Sequence, residues 1–336
     1  MTALSDDAIG RLREAALWPD LSGTRYTAIR PLGYGGMGTV YLARDEALDR
    51  EVAIKVAGAT PGDDDLTRRL ATEAGVLARL EHPGIVPIHD VGRLPDGRAY
   101  YVMKRVDGRT LAAWLREPAS LAERLRIFER VCEPVAFAHA RGLVHRDLKP
   151  DNIMVGSFGE VLVLDWGVAK DLGRDAPAAG GTATPAPVTA ASGNTEPGTV
   201  MGTPGFMSPE QAAGDVGRVD QRSDVYALGA LLFQMLSGRA PEPGHDAPAA
   251  PPRRPGVPRR LRAICSKAMS PPPGDRYPDA GALAADVARF RAGHAVTAYP
   301  ETVFDRFGRV AGTYRTPILL VAAYLVMRVI VALLTG

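Results

Sequence analysis

HRDLKPDN, residues 145–152, and DWG, residues 165–167, decide how this chain of 336 residues is read. Together they gather two carboxylates, an amide and an ammonium in two short strings: Asp147, Asp165, Asn152 and Lys149. Asp147 and Asn152 stand five positions apart. At about one in twenty per specified position, six matched positions arise by chance on the order of once in 10^8 starts. A lone loop Asp is usually only a solvated charge, so the ordered set carries the inference and no single residue does.

The rest of the composition is ordinary. The chain is long enough for one large bilobal domain plus short extensions, and 46% hydrophobic with 23% charged residues is the balance of a folded protein. A formal net charge of +2 gives no field that would steer it to nucleic acid, so no nucleic-acid partner is expected. Cys132 and Cys265 lack metal spacing and read as buried, reduced thiols. Met1 to Asp20 has no apolar run of the secretory kind. Residues 5–17 read as a short helix with Ser5 as N-cap and Asp6 and Asp7 in its first turn.

The C-terminal stretch Ile318 to Leu334, ILLVAAYLVMRVIVALL, holds twelve large aliphatic or Met residues, three Ala, one Tyr and one Arg. Seventeen residues at about 1.5 Å each reach about 25 Å, and the flanking Thr316, Pro317, Thr335 and Gly336 supply the missing turn. Twelve apolar residues at about −0.4 kcal/mol each outweigh about +3 kcal/mol for Arg328. A transmembrane helix is expected over 317–335. Arg306, Arg309 and Arg315 precede it and no charge follows, so the preceding domain should face the cytoplasm. The alternative is a final helix lying at the interface, for which only Tyr324 and Arg328 would supply a polar face.

Residues 23–56 alternate short β-rich runs (RYTAIRPLG, TVYLARD, EVAIKVA) with Gly and Asp turns, the pattern of an antiparallel sheet. Leu66 to Leu80 has helical spacing and ends before Pro83. Ile85 to Val91 and Ala99 to Val106 read as two more strands. From Leu121 the pattern turns helical, with Pro134 placed to kink that helix near Arg130. Asp220 to Leu236, Val257 to Met269 and Ala280 to Ala292 are three further helices. The stretch 173–202 is too rich in Ala, Pro, Gly and Thr to build a core, and 240–258 reads as a Pro-rich loop.

GYGGMGTV, residues 33–40, lies between two β-rich runs. Gly33, Gly35 and Gly38 would let backbone approach phosphates that a Cβ would obstruct. A dinucleotide-binding turn needs a helix next; here a strand with VAIK follows, which excludes it.

The order Gly-rich loop, VAIK, helical Glu, HRDLKPDN, DWG, SPE, DVYALG resembles the bacterial Hanks-type, eukaryotic-like Ser/Thr protein kinases over about residues 24–296. The resemblance implies an α+β, bilobal kinase fold: a small antiparallel β-sheet lobe with one helix over 23–106, and a larger, mostly helical lobe over 107–296. An extension 1–22 precedes them, an activation segment 165–210 lies inside the large lobe, and a juxtamembrane linker 297–316 leads to the C-terminal helix. It also implies ATP and Mg²⁺ as cofactors, with Mn²⁺ able to substitute. Lys55 would pair with the α- and β-phosphates, oriented by Glu73, with Glu81 the other acid in reach. Asp147 would deprotonate the attacking hydroxyl, Lys149 would neutralise charge, and Asn152 and Asp165 would hold Mg²⁺. Met103 would be the gatekeeper. The backbone of Lys104 and Val106 would meet adenine under Val40 and Ala53.

By the same resemblance His145 is scaffold, Thr203 contacts Asp147 and Lys149, Glu210 pairs with Arg276, and Asp224 anchors the catalytic loop. Arg146 is placed to bind a phosphorylated activation-segment threonine, with Thr195 and Thr199 ahead of Thr182, Thr184 and Thr189. Trp166 replaces the usual Phe, as in some bacterial relatives. The stretch after Gly238 lacks the helix that usually docks substrates. The implied partners are protein substrates with Ser or Thr acceptors, the cell membrane, and a second copy for trans-autophosphorylation. A pseudokinase would be expected to lose the lysine, the catalytic Asp or the metal Asp, and none is lost. A small-molecule phosphotransferase would not need the SPE platform.

Overall fold

The structure, a computed structural model, describes residues 18–35, 38–58, 64–166, 169–171, 205–242, 257–301 and 315–335. The helix expected over 5–17 lies outside the described residues. So do Thr182, Thr184, Thr189, Thr195, Thr199 and Thr203, most of the loop after Gly238, and most of the linker before Arg315.

The alternating runs form an antiparallel sheet. Strands β1 (Tyr26–Gly35), β2 (Gly38–Asp45), β3 (Arg50–Ala57), β4 (Ile88–Arg93) and β5 (Ala99–Lys104) stand in the order β1-β2-β3-β5-β4. Side chains alternate faces along a strand. Tyr41, Ala43, Val52, Ile54, Val56, Tyr100 and Val102 therefore share one face, where Leu21, Tyr26 and Leu94 close a small core. The alternate residues face helix α1 (Asp64–Ala78), whose Leu70, Ala74 and Leu77 join Ala57 and Tyr101 in the main core. The fourth strand starts three residues later than the sequence suggests. Pro87 has no N–H for a ladder, and Ile85 makes only an isolated bridge to Val163.

The large lobe begins with β6 (Gly108–Thr110), α2 (Leu111–Trp114) and α3 (Leu121–His139). Thr110 caps α2 through Ala113 N, and Ser120 caps α3 through Glu123 N. Leu125, Phe128, Val131, Cys132 and Val135 form the buried stripe of α3. The helix runs unbroken through Pro134, whose ring lies against Gly84. A Cβ on Gly84 would come within 2.9 Å of Pro134 Cγ. Gly84 O also accepts from Val163 N at 2.8 Å, which ties the turn after α1 to the large lobe.

Next come β7 (Leu143–Val144), β8 (Ile153–Gly156), β9 (Val161–Val163), β10 (Lys170–Asp171) and α4 (Pro209–Ala212). β7 pairs with β10, which brings the start of the HRD string beside the chain that leaves Asp165. Helix α5 (Gln221–Ser237) is capped by Asp220 and ends at Gly238 with φ +78°. It is hydrophobic on nearly every side and buried accordingly, the core on which the catalytic loop rests. α6 (Arg259–Ala268) and α7 (Ala280–Arg291) complete the lobe.

A further helix, α8, covers Arg315–Thr335. Its described apolar side chains, among them Leu320, Val321, Leu325 and Leu333, are exposed. Side chains at 315–319, 322, 332, 334 and 335 fall outside the description. Among the described residues no helix is long and apolar enough to cross a membrane, so the transmembrane expectation for 317–335 does not follow from the structure.

Candidate active site

Strand register gathers the residues expected at the nucleotide. Val40 stands opposite Lys55, Ala53 opposite Met103, and Lys55 opposite Tyr101. The period of two therefore puts Val40, Ala53, Lys55, Tyr101 and Met103 on one side of the sheet. Lys55 Nζ donates to both oxygens of Glu73, at 2.9 and 2.8 Å, and to Asp165 Oδ1 at 3.1 Å. Glu73 is fully buried while Glu81 is exposed, which resolves the two acids left open by the sequence. Burial alone would discharge Lys55, but the carboxylates of Glu73 and Asp165 outweigh it and hold the ammonium above its ordinary range. The same contact keeps Asp165 ionised: burial works against its charge, and Lys55 overrides that and lowers its pKa.

The catalytic loop is held from below by Asp224. Its carboxylate accepts from His145 N at 2.7 Å, from Arg146 N at 2.8 Å, and from the His139 ring at 2.9 Å. Burial opposes its charge, yet the hydrogen bond from His139 prevails and lowers its pKa. Arg146 has φ +72° and Asp165 φ +61°, both in a region that costs a non-glycine residue about 1–3 kcal/mol. The bond that Arg146 N donates to Asp224 and the one that Gln211 Nε2 donates to Arg146 O, at 2.7 Å, offset that cost at Arg146. His145 Nδ1 accepts from Asp147 N, so its Nε2 carries the proton and donates to Leu164 O at 2.9 Å. Both ring nitrogens are spent on the backbone, which fits scaffold and not proton transfer. Trp166 is buried against the His145 ring, with centroids 4.6 Å apart.

Asp147 Oδ2 accepts from Lys149 Nζ at 2.7 Å and from Asn152 Nδ2 at 3.0 Å. Asn152 Nδ2 also donates to Asp147 O at 2.8 Å, which turns its Oδ1 away from Asp147. Asn152 and Asp165 each carry a hard oxygen donor. Among the described residues no group of three or more His, Cys, Asp or Glu could hold a metal ion. Mg²⁺ needs only one or two such side chains when phosphates and water complete its shell, so the donors present fit it.

Glu210 meets Arg276 in a two-pronged pair at 2.7 and 2.8 Å, and Ser223 Oγ adds a third donor at 2.6 Å. Arg276 spends its other N–H groups on Ser270 O, Arg222 O and Pro271 O. Burial would raise the Glu210 pKa, but these donors lower it to about 2.

Two expectations need refining. Gly38 has φ +150°, and a Cβ there would sit 1.9 Å from Val56 O, so β3 demands this glycine whatever binds above it. At Gly33 a Cβ would meet nothing within 4 Å, and at Gly35 only Gly38 O at 3.6 Å. In the hinge, Lys104 N donates to Pro87 O at 3.1 Å and is unavailable as a donor to adenine. Met103 and Val106 are half-buried and pack against the main core.

Sequence reading missed Tyr101, whose hydroxyl donates to Glu73 Oε1 at 2.9 Å. It also missed His139, and Asp286, which accepts from Tyr277 Oη, Thr297 N, Thr297 Oγ1 and Ala298 N. Apolar runs hide a tyrosine, and no spacing rule links Asp286 to a segment that returns to it. Cys132 and Cys265 are buried thiols, each pushed up by burial, as expected.

Residues 26–254 match the protein kinase domain family. The chain is 34% identical over 323 residues to the serine/threonine-protein kinase PknD of Chlamydia caviae, covering 88% of this chain and 34% of that one. It is 36% identical over 278 residues to the serine/threonine-protein kinase PrkC of Bacillus subtilis, covering 78% and 40%. The chain thus spans a third to two fifths of the length of these relatives. The crystal structure of the Mycobacterium tuberculosis PknI kinase domain aligns with a TM-score of 0.59 at 30% identity, over 79% of this chain and 96% of that one.

Proposed function

The chain belongs to the protein kinase family, as a bacterial Hanks-type serine/threonine kinase, and from that premise we propose that it transfers the γ-phosphoryl group of ATP to Ser and Thr hydroxyls of protein substrates. The Lys55 ammonium shared between Glu73 and Asp165 carries this reading, because it joins the small sheet and its helix to the segment after β9 in one contact. ATP lies between the Gly33–Gly38 loop and the catalytic loop, its adenine at the Lys104 carbonyl and the Val106 backbone beneath Val40 and Ala53. Lys55 binds the α- and β-phosphates. The Asp147 carboxylate takes the proton of the attacking hydroxyl, whose oxygen bonds to the γ-phosphorus as the bond to the β–γ bridging oxygen breaks and ADP leaves. Lys149 neutralises charge on the transferred group. Asn152 and Asp165 would hold Mg²⁺, which when bound supplies charge neutralisation at the phosphates.

The domain limits 1–22, 23–106, 107–296, 297–316 and 317–335 belong to this proposal. So does autophosphorylation at Thr195 or Thr199, read by Arg146 and carried out between two copies, and so does the contact of Thr203 with Asp147. Membrane anchoring by 317–335 is supported by the exposed apolar side chains of α8, and a cytoplasmic kinase side by Arg306, Arg309 and Arg315 before it. Full-length protein in vesicles, given ATP and Mg²⁺ and mapped by mass spectrometry, tests these points together. Phosphate on Thr195 or Thr199 in the wild type alone supports them. Alanine at both threonines with activity intact would sink the activation-segment part.

A further inference from the structure

The Tyr101 hydroxyl is a buried donor in contact with the Lys55–Glu73 pair, and no step of the reaction above uses it. Tyr101 stands directly across β3–β5 from Lys55 and is 2% exposed; Glu73 is 0% exposed. Glu73 Oε1 accepts from both Lys55 Nζ and Tyr101 Oη at 2.9 Å, and Oε2 accepts from Lys55 at 2.8 Å. Lys55 Nζ also lies 5.9 Å from the Tyr101 ring centroid. The three side chains close on one another, two from the sheet and one from the helix.

The two ends of the Tyr101–Glu73 bond are held differently. Tyr101 sits on β5, which is paired on both sides, to β3 and to β4. Glu73 sits on α1, a single helix laid on that sheet. If α1 moves outward, Glu73 can regain water, but the Tyr101 hydroxyl stays in the core without its acceptor. A buried donor left unmet is costly, and a hydrogen bond to a charged acceptor is about twice as strong as a neutral one. The loss therefore falls on the outward state, and the equilibrium of the helix shifts inward.

We propose that Tyr101 is a positioning residue for phosphoryl transfer, whose hydroxyl holds Glu73 against Lys55 and biases the helix Asp64–Ala78 to its inward position. The inference rests on the kinase reading. It makes closure of the Lys55–Glu73 pair depend partly on a residue of the sheet, besides any ordering of the activation segment.

Tyr101→Phe keeps the ring and removes only the hydroxyl. In the full-length protein, amide hydrogen exchange across Asp64–Ala78 should rise about tenfold or more, the equivalent of one charge-assisted hydrogen bond. Turnover should fall by up to the same factor, while the KM for ATP stays within about twofold. In a Glu73→Ala background, which leaves the hydroxyl no acceptor at that position, the same change should add little. An equal rise in exchange in both backgrounds would reveal a packing residue and overturn the proposal, as would exchange within about twofold of wild type. An inert wild type would sink the kinase reading and the positioning role with it; an active wild type with unchanged exchange sinks only the role of Tyr101.

Discussion

Removing the charge of Asp147 without changing its shape is the smallest change that should stop phosphoryl transfer. Asp147→Asn is expected to lower kcat by about 10^2–10^4 and leave ATP binding in place, which steady-state phosphorylation beside fluorescent-nucleotide titration would check. Glu210 bears on stability instead. Glu210→Gln leaves the Arg276 guanidinium buried without its counter-charge, at a cost of about 3–5 kcal/mol in urea denaturation. Because the Glu210 pKa falls from 4.5 to about 2 on folding, the unfolded chain takes up the proton first as pH drops. Its contribution is complete above about pH 4.5 and is lost as pH falls to about 2, so the gap between wild type and Glu210→Gln should close across that window. Asp147, Asn152, Asp165 and Lys55 were legible because each sits inside a short string whose spacing is the chemistry. Tyr101 and His139 were not, since their partners Glu73 and Asp224 arrive on helices 28 and 85 residues away in the chain.

Elements explain what single residues cannot. The strands could be read because alternation maps directly onto two faces, and α1 because its apolar spacing is helical. The start of β4 could not, since the missing N–H of Pro87 competes with an otherwise strand-like run. Gly38 shows a deeper limit: the string suggested phosphate approach, while the register of β2 against β3 puts Val56 O where a Cβ would lie. Gly38→Ala should therefore destabilise the small lobe itself, by about 1–3 kcal/mol, visible in thermal unfolding without any nucleotide. An effect that appeared only in ATP binding would contradict this. On the other side of the cleft, α5 supports the catalytic loop through Asp224. Asp224→Asn places an N–H where the loop also presents N–H groups, so kcat should fall about a hundredfold from misplacement of Asp147, with the KM for ATP little changed.

Across the whole molecule, the two lobes share one core that runs from Leu70 and Leu77 of α1 through Phe128 and Val131 of α3 to Leu228 and Leu231 of α5. The Lys55–Glu73–Asp165 contact joins the small lobe to the segment after β9, and Asp147, Lys149 and Asn152 bond to one another in the loop that precedes it. Beyond the core, α8 presents apolar side chains outward, and the proposed anchor predicts that full-length protein stays with membranes after alkaline carbonate washing while residues 1–315 do not. Transfer of phosphate from ATP to Ser or Thr can be read in a single assay. Full-length protein in vesicles is given γ-labelled ATP with Mg²⁺, beside Asp147→Asn and beside wild type in excess EDTA. Label on Ser or Thr in the wild type alone, lost with the carboxylate and lost with the metal, is the expected result. Equal label in Asp147→Asn, or a wild type that binds ATP and transfers nothing, would contradict it.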